Sequence, residues 1–141
     1  MSGFLLDTNC ISELVRIKPD PLVFAWVRST DENLLHLSVL SLGEIRKGVN
    51  LLSIGRKRIE LERWLEQDLP TQFAARLLPV NAEIAEIWGA MAAEAQLKGI
   101  AMPIIDGLIA ATAKHHELMI ATRNEKDFRM WGIPVVNPWT S

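Results

Sequence analysis

At 141 residues the chain has the length of one ordinary domain, enough to bury a core and too little for a second. Hydrophobic residues make up 49% and charged residues 23%, a globular balance that excludes disorder. Fifteen Lys and Arg against 17 Asp and Glu leave a net charge of −2, which excludes a polybasic nucleic-acid arm. Any nucleic-acid contact then needs local positive charge or metal ions. No apolar run approaches the roughly 20 residues of a membrane span. The start MSGFLLDTNC lacks the basic and long apolar regions of a signal peptide. Cys10 stands alone, so an intrachain disulfide and a thiolate metal cage are both excluded, and a cytoplasmic protein is expected.

In chain order, Phe4-Leu5-Leu6 reads as a short buried strand ending at Asp7. Asn9 to Val15 makes a short helix, broken by Lys18-Pro19-Asp20-Pro21. Asp20 is placed to cap the next helix, with Pro21 at its first position. Leu34 to Ser38 is the second strand. From Ser41 onward Leu42, Ile45, Val49 and Leu52 recur at helical spacing, with Gly55 as the expected stop. Ile59, Leu61, Trp64, Leu65 and Leu69 mark another helix, closed by Pro70. Leu77 to Val80 is the third strand, and Asn81 caps a long helix with Gly99 beyond its end. Pro103 to Lys114 is a helix apolar nearly all round. Leu118 to Ala121 and Val135-Val136 complete the strands. Strands separated by helices predict a single α/β domain with a central parallel β-sheet flanked by α-helices on both faces. The active site of such a sheet lies beyond the carboxyl ends of its strands.

Three acids are predicted at that edge. Asp7 follows the first strand directly, Glu44 lies in the first turn or so of the helix after the second strand, and Asp106 opens the apolar helix. Singly, an acid near a helix start complements the helix dipole. Together, crowded carboxylates raise one another's pKa, and a divalent cation resolves the repulsion. All-oxygen ligands select magnesium or manganese over zinc or copper. The implied chemistry is hydrolysis of a phosphodiester by activated water, with no covalent enzyme intermediate.

The stretch Leu5-Leu6-Asp7-Thr8-Asn9-Cys10-Ile11-Ser12-Glu13 resembles the opening LLDTNxISE of PIN-domain nucleases, in particular the VapC-type toxins of the FitB-like branch. Ser38 to Gly48 is similar to their second motif, Asp106 to Ala113 to their third, and Ala121 to Phe128 to their fourth. The tail Val136-Asn137-Pro138-Trp139 also resembles that branch, so the likeness covers residues 1–141 as one PIN domain. It implies that Asp7, Glu44 and Asp106 hold Mg2+ or Mn2+. The fourth position, often Asp, is Asn124 here, an uncharged departure that bears on any second metal. Asp127, three residues on, is weighed as its substitute against a role in capping the turn. Asn9 and Thr122 are placed to orient ligands or water, or to make turn hydrogen bonds.

The resemblance further implies an endoribonuclease toxin cutting single-stranded or structured RNA, including tRNA. It implies a homodimer and a cognate antitoxin whose tail plugs the acidic site, with operator DNA bound only through the antitoxin complex. No membrane partner is implied. A PIN-like domain that has lost catalysis and serves as a binding or regulatory partner is the alternative that Asn124 keeps open.

Arg46, Lys47 and Arg123 are the candidate RNA contacts, with Arg123 favoured because its neighbours already lie at the active edge. The run Gly55-Arg56-Lys57-Arg58 is read as a solvated helix start. His115-His116 is read as a surface helix end, since adjacent helical residues point about 100° apart. Trp64 and Trp88 are read as core or dimer contacts, and Cys10 as a small buried residue. The chain lacks a GxxxxGK[ST] loop, and Asn9 stands where a dehalogenase-type phosphatase needs a second Asp.

Overall fold

Five parallel strands in the order β3-β2-β1-β4-β5 form the centre of the molecule. They are β1 (Phe4–Leu6), β2 (Leu35–Ser38), β3 (Leu77–Leu78), β4 (Met119–Ala121) and β5 (Val135–Val136). The computed structural model describes residues 3–140, so positions 1, 2 and 141 of the expected domain lie outside the described residues. Before β2 run α1 (Thr8–Glu13) and α2 (Pro21–Ser29), and between β2 and β3 run α3 (Val39–Asn50), α4 (Arg56–Arg63) and α5 (Leu69–Phe73). Between β3 and β4 lie α6 (Ala82–Leu97) and α7 (Ile104–His116), and α8 (Glu125–Met130) joins β4 to β5.

Strand alternation divides the core in two. Leu5 and Ile120 belong to a cluster with Ile84, Met91, Ile109 and Phe128, on the side of α6, α7 and α8. Their neighbours Leu6 and Ala121 belong to the other, with Ile11, Val23, Ile45, Leu65 and Phe73 from α1 to α5. Side chains buried on both faces explain why the strands read as continuous apolar runs. The expected sheet with helices on both faces is the one observed. Trp64 packs on the second cluster and Trp88 on the first, as core positions.

Local chemistry sets most boundaries. Asp20 accepts from the N–H of Leu22 at 2.9 Å and starts α2, and Asn81 accepts from the N–H of Ile84 at 2.9 Å and starts α6. Gly99 has φ +69° just past α6, a conformation that suits glycine. Elsewhere the sequence expectation needs correction. Ser38 caps α3 through the N–H of Leu40, so that helix begins at Val39 and ends at Asn50. Gly55 is no stop; it stands at the N-cap of α4. Pro70 does not close a helix either. A π-helical turn over Trp64–Asp68 carries the chain from α4 into α5, with Pro70 in the first turn of α5. There the missing N–H of proline costs least. β3 stops at Leu78 instead of Val80 because Pro79 cannot donate to the ladder.

Candidate active site

The strand order reverses between β1 and β4, since β2 and β3 lie to one side of β1 and β4 and β5 to the other. Ligand crevices form at such a switch point, beyond the carboxyl ends of the strands. Asp7 and Thr122 are the residues that follow β1 and β4, and both are buried. The Asp7 backbone N–H donates to the Ala121 carbonyl at 2.9 Å, extending the ladder by one bond. Its side chain then turns back: the Thr122 hydroxyl donates to Asp7 Oδ2 at 2.7 Å and the Thr8 N–H to Oδ1 at 2.9 Å. Thr122 Oγ1 in turn accepts from the Asn124 N–H at 2.9 Å and from Asn9 Nδ2 at 3.4 Å. Asn9 and Thr122 thus serve the hydrogen-bond network around Asp7.

Glu44 comes from the second turn of α3, one turn later than expected, because α3 starts at Val39. Thr8 Oγ1 donates to Glu44 Oε1 at 2.5 Å and lies 2.8 Å from Ser41 Oγ. With the Thr8 proton committed to the carboxylate, the fully buried Ser41 is the donor in that second contact. Thr8 and Ser41 are site residues that sequence reasoning missed. Their only signal was the Thr within the first motif and the Ser three residues before Glu44. Asp106 occupies the first turn of α7, half-buried. Gly107 follows it, and a Cβ there would stand 3.1 Å from Trp88 Cδ1 and 2.9 Å from Met102 Sδ. The close fit of α7 on α6 thus fixes the turn that carries Asp106.

The charges at this edge repel. Burial pushes the Asp7 carboxyl up to about 6, and the nearby Asp106 and Glu44 add to the shift. Burial also raises Asp106, with further contributions from Glu44 and Asp127. Asp127 therefore lies within electrostatic reach of Asp106. Asn124 stands at the head of α8 without capping it through its side chain. Cys10, fully buried, has its thiol pushed up to about 12 by burial and by the charges of Asp7 and Glu13, so it is no nucleophile.

All these donors are oxygen and all the coupled charges are negative, which is the chemistry of a hard divalent cation site. As the side chains stand, no three of His, Cys, Asp and Glu among the described residues are arranged to hold a metal ion.

The candidate RNA contacts differ from one another. Arg46 pairs with Glu66 at 2.8 Å and Glu62 at 3.5 Å, so its charge is already engaged. Lys47 is exposed and shares a surface recess with Glu44 and Ile105. Arg123 is exposed, and its guanidinium lies over the Trp139 ring, 4.5 Å from the centroid. A largely apolar groove of about 290 Å³ between α1, α3 and α4 runs up to Thr8 and Glu44, lined by Val15, Ile45, Val49 and Trp64 among others. His115 and His116 end α7 with their rings edge to face at 4.8 Å, and His115 Nε2 lies 3.3 Å from Glu83. They belong to the end of α7 that leads into β4, the edge opposite the acids.

A parallel sheet with a carboxylate edge at its switch point defines a class, and the PIN domain family model matches residues 4–130. The chain belongs to the PIN-domain family, among its VapC and FitB toxins. It is 41% identical over 135 residues to "Toxin FitB" of Neisseria gonorrhoeae, covering 96% of this chain and 97% of that one. It is 35% identical to "VapC ribonuclease Y4jK" of Sinorhizobium fredii, with 96% of each covered. A solved structure of FitAB bound to an IR36 DNA fragment superposes with a TM-score of 0.91 at 38% identity, covering 98% of this chain and 96% of that one. Among the described residues no helix is long and apolar enough to cross a membrane.

Proposed function

We propose that the chain is one PIN domain, the endoribonuclease toxin of a toxin–antitoxin pair, hydrolysing phosphodiester bonds in single-stranded or structured RNA. The observation that carries this reading is the buried Asp7 at the switch point, held by Thr122 and Thr8 and flanked electrostatically by Glu44 and Asp106. The ribonuclease named among its relatives supports the substrate class. Asp7, Glu44 and Asp106 would hold Mg2+ or Mn2+, with Asn124 assisting as a neutral oxygen donor. When bound, such a cation supplies charge against the phosphodiester and makes water a nucleophile near neutral pH. The chain's own part is to orient. Thr122 fixes the Asp7 carboxylate, Thr8 fixes Glu44 with Ser41 bonded behind it, and Lys47 and Arg123 would take flanking phosphates. Water attacks in line, and no enzyme side chain is acylated or phosphorylated.

The partners follow the same reading. The apolar groove ending at Thr8 and Glu44 suits an antitoxin tail that blocks the acids. The FitAB structure bound to an IR36 DNA fragment supports a DNA-bound toxin–antitoxin complex, and in our reading that DNA is the operator and the antitoxin carries the contact. A homodimer in the cytoplasm completes the proposal.

The test is cleavage of a mixed tRNA and single-stranded RNA pool by purified protein with magnesium, with manganese or with EDTA, beside Asp7→Asn. Cutting that needs the metal and disappears in Asp7→Asn is the expected result. A folded wild-type protein that binds no metal by calorimetry and cuts nothing would instead make it a non-catalytic partner. Asn124 is the feature that favours that second reading.

A further inference from the structure

Residues 137–139 are bound back onto the loop that follows β4. Asn137 Nδ2 donates to Glu125 Oε2 at 2.6 Å, and Asn137 Oδ1 accepts from the Trp139 N–H at 2.9 Å. The Trp139 ring packs against the core cluster that contains Leu6, Cys10 and Ala121. Its indole N–H is buried and finds no hydrogen-bond partner. A buried donor left unpaired is a cost, so the ring's contribution rests on its apolar body and its face. On that face lies the guanidinium of Arg123, 4.5 Å from the centroid. Arg123 directly follows Thr122, the residue whose hydroxyl holds Asp7. Across from it, buried Glu13 is paired with Arg16 at 3.2 Å and accepts from the Asp20 N–H at 2.9 Å. Glu13 reaches Arg123 only through its field.

We propose that Trp139 is a positioning residue for RNA, holding the Arg123 guanidinium over its ring at the rim of the carboxylate edge, where it takes a substrate phosphate. This rests on the nuclease reading above. A guanidinium stacked on an indole keeps its N–H fork free, and that fork suits two phosphate oxygens. The stacked arginine has also lost rotamer freedom before RNA arrives, which lowers the ordering cost of the contact. Without the ring, the arginine regains its rotamer freedom and must be ordered when the phosphate binds.

The experiment uses a labelled RNA that the wild-type chain cuts. Steady-state kcat and KM are measured over a salt series, and binding of the same RNA is followed by anisotropy in EDTA. Arg123→Ala and Trp139→Leu are each expected to raise KM and Kd five- to twentyfold, with kcat changed less than twofold. Each should also flatten the salt dependence by about 0.7 in log–log slope, one phosphate's worth for a single strand. Trp139→Phe keeps a π face and removes the unpaired N–H, and should recover most of the affinity. The double variant should bind no worse than Arg123→Ala alone. Arg123→Lys, a surface change that keeps the charge and so the salt slope but loses the planar fork, should still raise KM and Kd and is informative even if Trp139→Leu fails to fold. Wild-type affinity in Arg123→Lys or in folded Trp139→Leu, or additive losses in the double variant, overturns the positioning role while leaving the nuclease reading intact. A wild-type chain that neither binds nor cuts RNA overturns both.

Discussion

The Thr122 hydroxyl is used in three directions at once, donating to Asp7 and accepting from the Asn124 N–H and the Asn9 amide. Thr122→Val keeps the shape and removes all three bonds. Leaving buried polar groups short of a partner costs about 1–3 kcal/mol, readable by urea unfolding. Loss of a group that orients a ligating carboxylate should also lower metal affinity or activity about 10–100-fold, readable by calorimetry and RNA cleavage. Asp7 itself trades stability for function. Its carboxyl titrates near 6 in the folded chain against 3.8 ordinarily, so the folded state holds the proton that the unfolded state has already released. Stability from this group is full below about 4 and falls as pH rises through about 6, by at most ~3 kcal/mol. Asp7→Asn, with no charge to bury, should therefore unfold at higher urea than metal-free wild type at pH 7.5 and lose that advantage by pH 4. An advantage independent of pH would contradict the burial argument. Asp7 and Asp106 were legible in the sequence because one follows a strand and the other lies in the first turn of a helix, whereas Glu44 sits a turn deeper in α3 than its spacing suggested. Thr8 and Ser41 were not legible, since the bonds Thr8 makes to Ser41 and to Glu44 join positions more than 30 residues apart.

Among the elements, those set by neighbouring residues were the ones the sequence could show. Asp20 and Asn81 cap their helices through N–H groups two or three residues on, and capping is a local rule. Asn81→Ala should cost about 1 kcal/mol in urea unfolding, without changing RNA cleavage. The π-helical turn before Pro70 was hidden because only packing decides whether a proline ends a helix or rides in its first turn. Gly3 is another position where an element depends on backbone freedom. It has φ +105°, and a Cβ there would come 2.3 Å from the Leu34 carbonyl oxygen, at the start of β2. Its own carbonyl accepts from the Met119 N–H at 3.1 Å, so it joins β1 to β4 as well. Gly3→Ala should cost upwards of about 1–3 kcal/mol, and an unchanged urea midpoint would rule out that strain.

At the scale of the molecule, one sheet separates two cores, and adjacent side chains of β1 serve one each. Leu5→Ala and Leu6→Ala should each cost about 2–5 kcal/mol, although the cavities they leave lie on opposite faces. Both variants should still unfold in one transition when followed by circular dichroism and tryptophan fluorescence, because the strands are common to both cores. Separate transitions would show that the halves melt independently. The doubly covered sheet also gives Cys10 a use unrelated to catalysis. It is the only thiol in the chain, carried by α1 into the core within the field of Asp7, and its raised pKa leaves almost no thiolate at neutral pH. An alkylating reagent reaches it only when α1 lifts away. The rate of labelling is thus a clock for how often the carboxylate edge comes apart, and any ion, RNA or protein that binds the closed edge must slow it.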